Sequence, residues 1–184
     1  MKKFLVIILI VFISFGGTQV LAQHNKPLTD SVIRLHVIAN SDKIDDQALK
    51  LAVKDHIVSY MQEEFVHTSN IEDARIKAEN NLANIKREAE AAIVAEGYNY
   101  PVEVSLGTFT FPTKSYGNLV FPSGDYYALK VIIGEGSGKN WWCVLFPPLC
   151  IVSSSDKGLS LENPREAKVT LKCLELLPKG VKLD

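Results

Sequence analysis

Between Asp45 and Phe65 the apolar residues Leu49, Ala52, Val53, Ile57, Tyr60, Met61 and Phe65 recur at three- and four-residue steps, with charged residues between them. That period lines one face of a helix and predicts a helix over the stretch. A second stripe, Ile76, Leu82, Ile85, Ala89, Ala92 and Ile93, follows Ser69-Asn70-Ile71-Glu72, which has the form of a capping box. One helix is expected from there to Glu96, with Gly97 as its stop.

Elsewhere the period is two. Ser31 to Ala39 is short and rich in β-branched residues, which predicts a strand with Ile33, Leu35 and Val37 on one face. Asn40-Ser41-Asp42 then offers side-chain oxygens to cap the following helix. Val102, Val104 and Leu106 alternate with Glu103 and Ser105, and strand character continues through Thr108–Phe111 until Pro112 breaks it. Tyr116-Gly117-Asn118 and Pro122-Ser123-Gly124-Asp125 carry turn chemistry on either side of Leu119 to Phe121. A long strand is expected from Tyr126 to Ile133, and Gly134-Glu135-Gly136-Ser137-Gly138 reads as a hairpin loop into the segment Lys139 to Cys150.

In that segment Trp141, Cys143 and Leu145 alternate with Trp142, Val144 and Phe146, apolar on both sides as in a strand buried on both faces, before Pro147-Pro148. The two tryptophans point to opposite faces, so at most one reaches solvent. Asn163-Pro164-Arg165-Glu166 opens a last helix that runs to about Leu177. The order strand, helices, strands, helix predicts an α+β domain whose antiparallel or mixed sheet is covered by helices.

The N-terminus has another pattern. Met1-Lys2-Lys3, an apolar run from Phe4 to Ile13 and a softer stretch ending in Val20-Leu21-Ala22 form the three-part layout of a secretory signal peptide. Cleavage is expected between Ala22 and Gln23, and with no cysteine there a lipid-anchored form is excluded. The rival reading is an uncleaved anchor, since a bilayer needs about 20 apolar residues; Gly16-Gly17-Thr18-Gln19 interrupts the run and argues against it. The expected organisation is residues 1–22 as signal peptide, 23–30 as a polar lead, and 31–184 as a single exported domain.

Without Lys2 and Lys3, the 20 basic side chains fall to 18 against 21 acidic ones, so the exported body is near neutral. It carries no basic stripe of the kind nucleic acid selects. Candidate catalytic and metal chemistry fails on spacing. A phosphate loop would need glycine where Ile133 stands and a hydroxyl where Asn140 stands. A calcium loop built from Asn40, Asp42, Asp45 and Asp46 has Asp45 at the glycine position and Leu51 at the bidentate position. His56 and His67 would sit about 16 Å apart on one helix, too far to share a zinc ion. Ser137 lacks the strand-turn-helix context of a nucleophile, and the apolar surroundings of Cys143 oppose a reactive thiolate. No catalytic residue, metal or cofactor is assigned.

Cysteines of exported proteins tend to pair. Cys143 and Cys150 enclose the Pro147-Pro148 turn, and closing that loop is worth about 2.5 kcal/mol in the chain-entropy estimate. Cys143 with Cys150 is the preferred pair; Cys150 with Cys173, or three buried free thiols, are the alternatives.

Two blocks carry a resemblance. They are Arg34-Leu35-His36-Val37-Ile38-Ala39-Asn40-Ser41-Asp42 leading into Asp46-Gln47-Ala48-Leu49-Lys50, and Phe121-Pro122-Ser123-Gly124-Asp125-Tyr126 through Trp141-Trp142-Cys143-Val144-Leu145-Phe146-Pro147-Pro148-Leu149-Cys150. In these the chain resembles the stage II sporulation protein R family. The resemblance implies a protein made in the forespore and secreted across its membrane into the intermembrane space, meeting the membrane only during export. There it would bind the extracytoplasmic region of the membrane-embedded aspartic protease that processes the pro-sigma-E factor. That protease would shift toward an active arrangement, and mother-cell transcription would follow.

Partner-contact candidates are one corner, Arg34, His36, Asn40, Ser41 and Asp42, and a second, Ser123, Gly124 and Asp125, all expected to be exposed. Each also has a plain use in capping or turns. The rival functions are an exported cell-envelope hydrolase, which would need convergent carboxylates in a cleft, and a structural or adhesion module of the envelope.

Overall fold

The computed structural model describes residues 27–116 and 119–148. The expected signal peptide and its Ala22/Gln23 cleavage point, the start of the polar lead, the turn residues Gly117 and Asn118, Cys150, Cys173 and the expected helix from Asn163 to Leu177 lie outside the described residues. A short 3-10 turn at Leu28–Asp30 leads into strand β1, Ile33–Ile38. Helix α1 spans Ile44–Phe65 and buries Leu49, Val53, Ile57, Met61 and Phe65, the stripe the sequence predicts. No helix among the described residues is long and apolar enough to cross a membrane.

Where one helix is expected after Asn70 there are two, α2 over Ile71–Asn80 and α3 over Leu82–Ala95. The cap is Asn70, whose side chain accepts from Asp73 N. The break at Asn81 is held from outside: Tyr60 Oη on α1 donates to Asn81 Oδ1 at 2.5 Å, and Asn84 Nδ2 donates to Tyr60 Oη at 3.0 Å. Neither glycine nor proline marks the site. The break takes Ile76 off the expected stripe and leaves it 56% exposed. At the far end Gly97, at φ +82°, closes α3, with Tyr98 N bonded to Ile93 O and Gly97 N to Val94 O. Only a residue free to adopt positive φ completes that motif without strain.

The sheet is mixed, in the order β2-β5-β1-β6. Strand β2 is Val102–Phe111, β5 is Gly124–Ile133 and β6 is Asn140–Phe146. Strands β3, Lys114–Tyr116, and β4, Leu119–Phe121, form a separate two-stranded ribbon. Strand β1 runs parallel to β5 and antiparallel to β6. The hairpin expected through Gly134–Gly138 is therefore not formed, because β1 lies between its two strands. The segment instead crosses the end of β1.

Side chains of β1 alternate between two covered faces. Ile33, Leu35 and Val37, all without exposed surface, join the core with α1 and α3; burying each is worth about 1.5–3 kcal/mol. On the other face, Arg34 is opposite Ala128 and Val144, and His36 is opposite Lys130 and Trp142. A register shift at Ile33/Arg34 brings Phe146 opposite Ile33, where its ring meets Phe65 edge-on at 5.3 Å. From Cys143 to Phe146 β6 is buried on both sides, as its sequence predicts.

Candidate recognition surface

The turn from β1 into α1 is a latch. Helix α1 begins after Lys43, which makes no side-chain cap, so Asn40, Ser41 and Asp42 do not cap it as expected. Asn40 Nδ2 donates to Asp46 Oδ2 at 2.9 Å, and Ser41 Oγ donates to the same oxygen. The other side of the corner grips the crossover loop. Asn40 Oδ1 accepts from Glu135 N at 3.0 Å, Asn40 O from Ser137 N at 3.1 Å, and Asp42 Oδ1 from Lys139 N at 2.7 Å.

Two glycines let the loop approach this closely. A Cβ on Gly134, at φ +58°, would lie 2.2 Å from Asn40 Oδ1, and one on Gly138 would lie 2.3 Å from Ser41 O. The hydrogen bonds from Ser41 and Asn40 hold the Asp46 carboxyl below the ordinary aspartate range, against its burial, and Tyr100 adds a weaker bond. Burial first, and then Asp46, push the Tyr100 hydroxyl upward.

Arg34 and His36 are not at this surface. Arg34 has no exposed area: it lies among the rings of Phe111, Tyr126 and Phe121, at 4.2, 4.8 and 5.6 Å, and Nη2 donates to Tyr116 Oη at 2.9 Å. Tyr116 Oη in turn donates to Trp142 O at 2.9 Å. Arg34 Nε and Nη1 have no hydrogen-bond partner among the described residues. His36 stacks on Trp142 at 3.8 Å and places Nε2 2.8 Å from Asn140 Oδ1. Burial lowers its pKa, opposed by the Asn140 bond. The expected exposure fails because β1 is an inner strand and the β3–β4 ribbon covers its second face. The signal available in the sequence was the aromatic set Phe111, Tyr116, Phe121 and Tyr126, enough to enclose a cation.

Ser123 and Asp125 are exposed and Gly124 is half-buried. Ser123 N donates to Thr113 Oγ1 at 3.0 Å, and Asp125 Oδ1 accepts from Thr110 Oγ1 at 2.6 Å. Gly124 and Asp125 belong to the start of β5, whereas the latch meets its end at Gly134. Ten residues at about 3.3 Å each separate the two corners by about 30 Å. They form two patches, of which the latch corner is the more elaborately built.

Cys143 is buried. Both other cysteines lie outside the described residues, so the pairing with Cys150 stays a proposal. Trp141 is half-buried beneath Lys54, whose Nζ is 4.5 Å from the ring centroid. Among the described residues no group of three or more His, Cys, Asp or Glu side chains could hold a metal ion. A shallow cavity of about 390 Å³ between α3 and β2 is lined by Glu90, Ile93, Val94 and residues 99–102, with Glu90 its single carboxylate.

The model of the family described as stage II sporulation protein R matches residues 29–156. The stage II sporulation protein R of Bacillus subtilis (strain 168) is 37% identical over 188 residues, covering 95% of this chain and 84% of that protein. No solved structure matches. The family match takes in β1, the latch corner and the tryptophan strand, and the similarity to the curated relative extends over nearly the whole chain, so the chain belongs to the stage II sporulation protein R family.

Proposed function

We propose that this protein is an exported sporulation signal that activates the membrane-embedded aspartic protease responsible for processing the pro-sigma-E factor. The forespore makes it, an N-terminal signal peptide takes it into the space between the two membranes, and it binds the protease from outside. The observation that carries the reading is the likeness to stage II sporulation protein R over 95% of the chain. A messenger of this kind requires a rigid recognition surface and does no chemistry of its own. It shifts its partner only by binding the active arrangement more tightly than the inactive one.

The latch corner suits that task. Its backbone is tied to the crossover loop by Asn40 and Asp42 and to α1 by Asp46, so contact costs little ordering entropy. At its rim Ile44 is 87% exposed beside the exposed Asp42, Lys43 and Asp45. An apolar anchor ringed by charges is how binding energy concentrates at interfaces. In this reading Arg34 and His36 belong to the covered second face of the sheet, Arg34 with Phe111, Tyr116, Phe121 and Tyr126 and His36 with Trp142 and Asn140, and Ser123 to Asp125 make a separate patch.

Calorimetric titration of the mature chain, residues 23–184, against the protease's extracytoplasmic region tests the proposal. Saturable binding is expected. No binding, together with normal pro-sigma-E processing in cells that carry only non-binding variants, overturns it.

A further inference from the structure

Strand β2 is an edge of a kind natural proteins seldom leave bare. Among the described residues it pairs with β5 on one side only, over ten residues in unbroken register from Val102↔Ile133 to Phe111↔Gly124. It contains no proline and no lysine, it has no bulge, and its single charge is Glu103. Edge strands normally carry at least one of these devices, because a flat row of unpaired N–H and C=O groups is a template for another strand. Here Leu106 is half-buried and Thr108 and Thr110 are exposed along the edge.

We propose that β2 is the interface between two copies of this chain, paired antiparallel about a two-fold axis through Gly107. Directly opposed residues of an antiparallel pair share a face, so the axis must pass through a residue rather than between residues. Centred on Gly107, the register sets Ser105 against Phe109, Leu106 against Thr108 and Val104 against Thr110 of the second copy. Each helix-facing residue then meets a helix-facing residue, and no charge opposes a charge.

The two Glu103 side chains fall eight residues apart along the strands, about 27 Å. Gly107 at the axis lets the backbones approach, and even a Cβ there would meet nothing nearer than the Phe109 ring at 3.6 Å. The product is one eight-stranded sheet with both helix layers on the same side, and Val104 and Leu106 gain cover. The assembly uses a different edge from the latch corner and stands whether or not the protease reading does.

Sedimentation equilibrium of residues 23–184, up to about 1 mM chain, is the test. A reversible dimer is expected. Gly107→Lys sets two ammonium groups face to face across the axis and is expected to weaken association at least tenfold, with the far-ultraviolet spectrum and thermal midpoint of the monomer unchanged. Gly107→Cys is expected to cross-link on oxidation, because opposed Cα atoms at about 4.5–5.5 Å lie within disulfide reach. Ser105→Cys, facing Phe109, is expected not to.

A wild-type chain that stays monomeric overturns the proposal. So does a folded Gly107→Lys protein that dimerises as tightly as wild type, or equal cross-linking by the two cysteine variants. Should Gly107→Lys fail to fold, the cysteine pair decides.

Discussion

Asn40→Asp is the sharpest perturbation of the latch, since it keeps the shape of the side chain and changes one atom's role. In the wild type Nδ2 donates to the buried Asp46 carboxylate at 2.9 Å while Oδ1 receives Glu135 N at 3.0 Å. Aspartate can still accept from Glu135 N, but its other oxygen faces Asp46 as a like charge. Losing a hydrogen bond to a charged group costs about 1.5–3 kcal/mol. Repulsion at an effective dielectric near 20 adds about 2–4 kcal/mol before relaxation. We expect a net loss of about 3–5 kcal/mol at pH 7, near 10 °C in thermal midpoint for a chain of this size.

Asn40→Ala should cost less, about 2–3 kcal/mol, because water reaches Glu135 N and no new charge is added. At pH 4 and below the order should close, since a protonated carboxyl at position 40 regains a donor for Asp46. Urea unfolding of both variants at pH 7 and pH 4 reads this directly. The geometry also predicts coupling: Gly134→Ala meets Asn40 Oδ1 in the wild type, but in the Asn40→Ala background keeps only its positive-φ strain of about 1 kcal/mol. If Asn40→Asp is as stable as wild type at pH 7, or more stable than Asn40→Ala, the corner is not the latch described.

Three further outcomes are expected. Asp46 has its pKa lowered by folding, so its ionised form contributes stability that is present above the unfolded value of about 3.9 and is lost as pH falls through the lower folded value; acid titration of Asp46→Asn should therefore show a shallower acid limb, and an unchanged limb would refute the assignment. Arg34→Met should leave stability within about 1 kcal/mol of wild type, because the lost ring and hydroxyl contacts are offset by removing two buried donors that have no partner among the described residues. Arg34→Ala should cost about 3–5 kcal/mol through the cavity it leaves, and equal damage from the two variants, measured by thermal melts, would show that the guanidinium itself is required. Ile44→Asp should reduce binding to the protease's outer region at least tenfold at an unchanged thermal midpoint; undiminished binding in titration calorimetry would move the contact elsewhere.

What the sequence made legible was local. The stripe from Leu49 to Phe65, the alternation after Val102 and the Gly97 stop depend on neighbours a few positions away, and each is found where expected. The strand order was not legible: five residues rich in glycine fit a hairpin equally well, and the atom that decides their path is Asn40 Oδ1, 95 positions from Glu135. The break at Asn81 was hidden for the same reason, being imposed by Tyr60 on another helix. For the candidate site, residue types pointed to the right corner but not to their depth. A strand reading places Arg34 and His36 opposite Leu35 without saying whether a further layer covers them, and here the β3–β4 ribbon does.

The central claim is that this chain delivers a signal across the forespore membrane to the protease that processes pro-sigma-E. The direct measurement is immunoblotting of pro-sigma-E during sporulation in cells lacking this protein. Accumulation of the unprocessed form, with processing restored by the wild-type chain expressed in the forespore, is the predicted result. Processing on schedule without the protein would contradict the account.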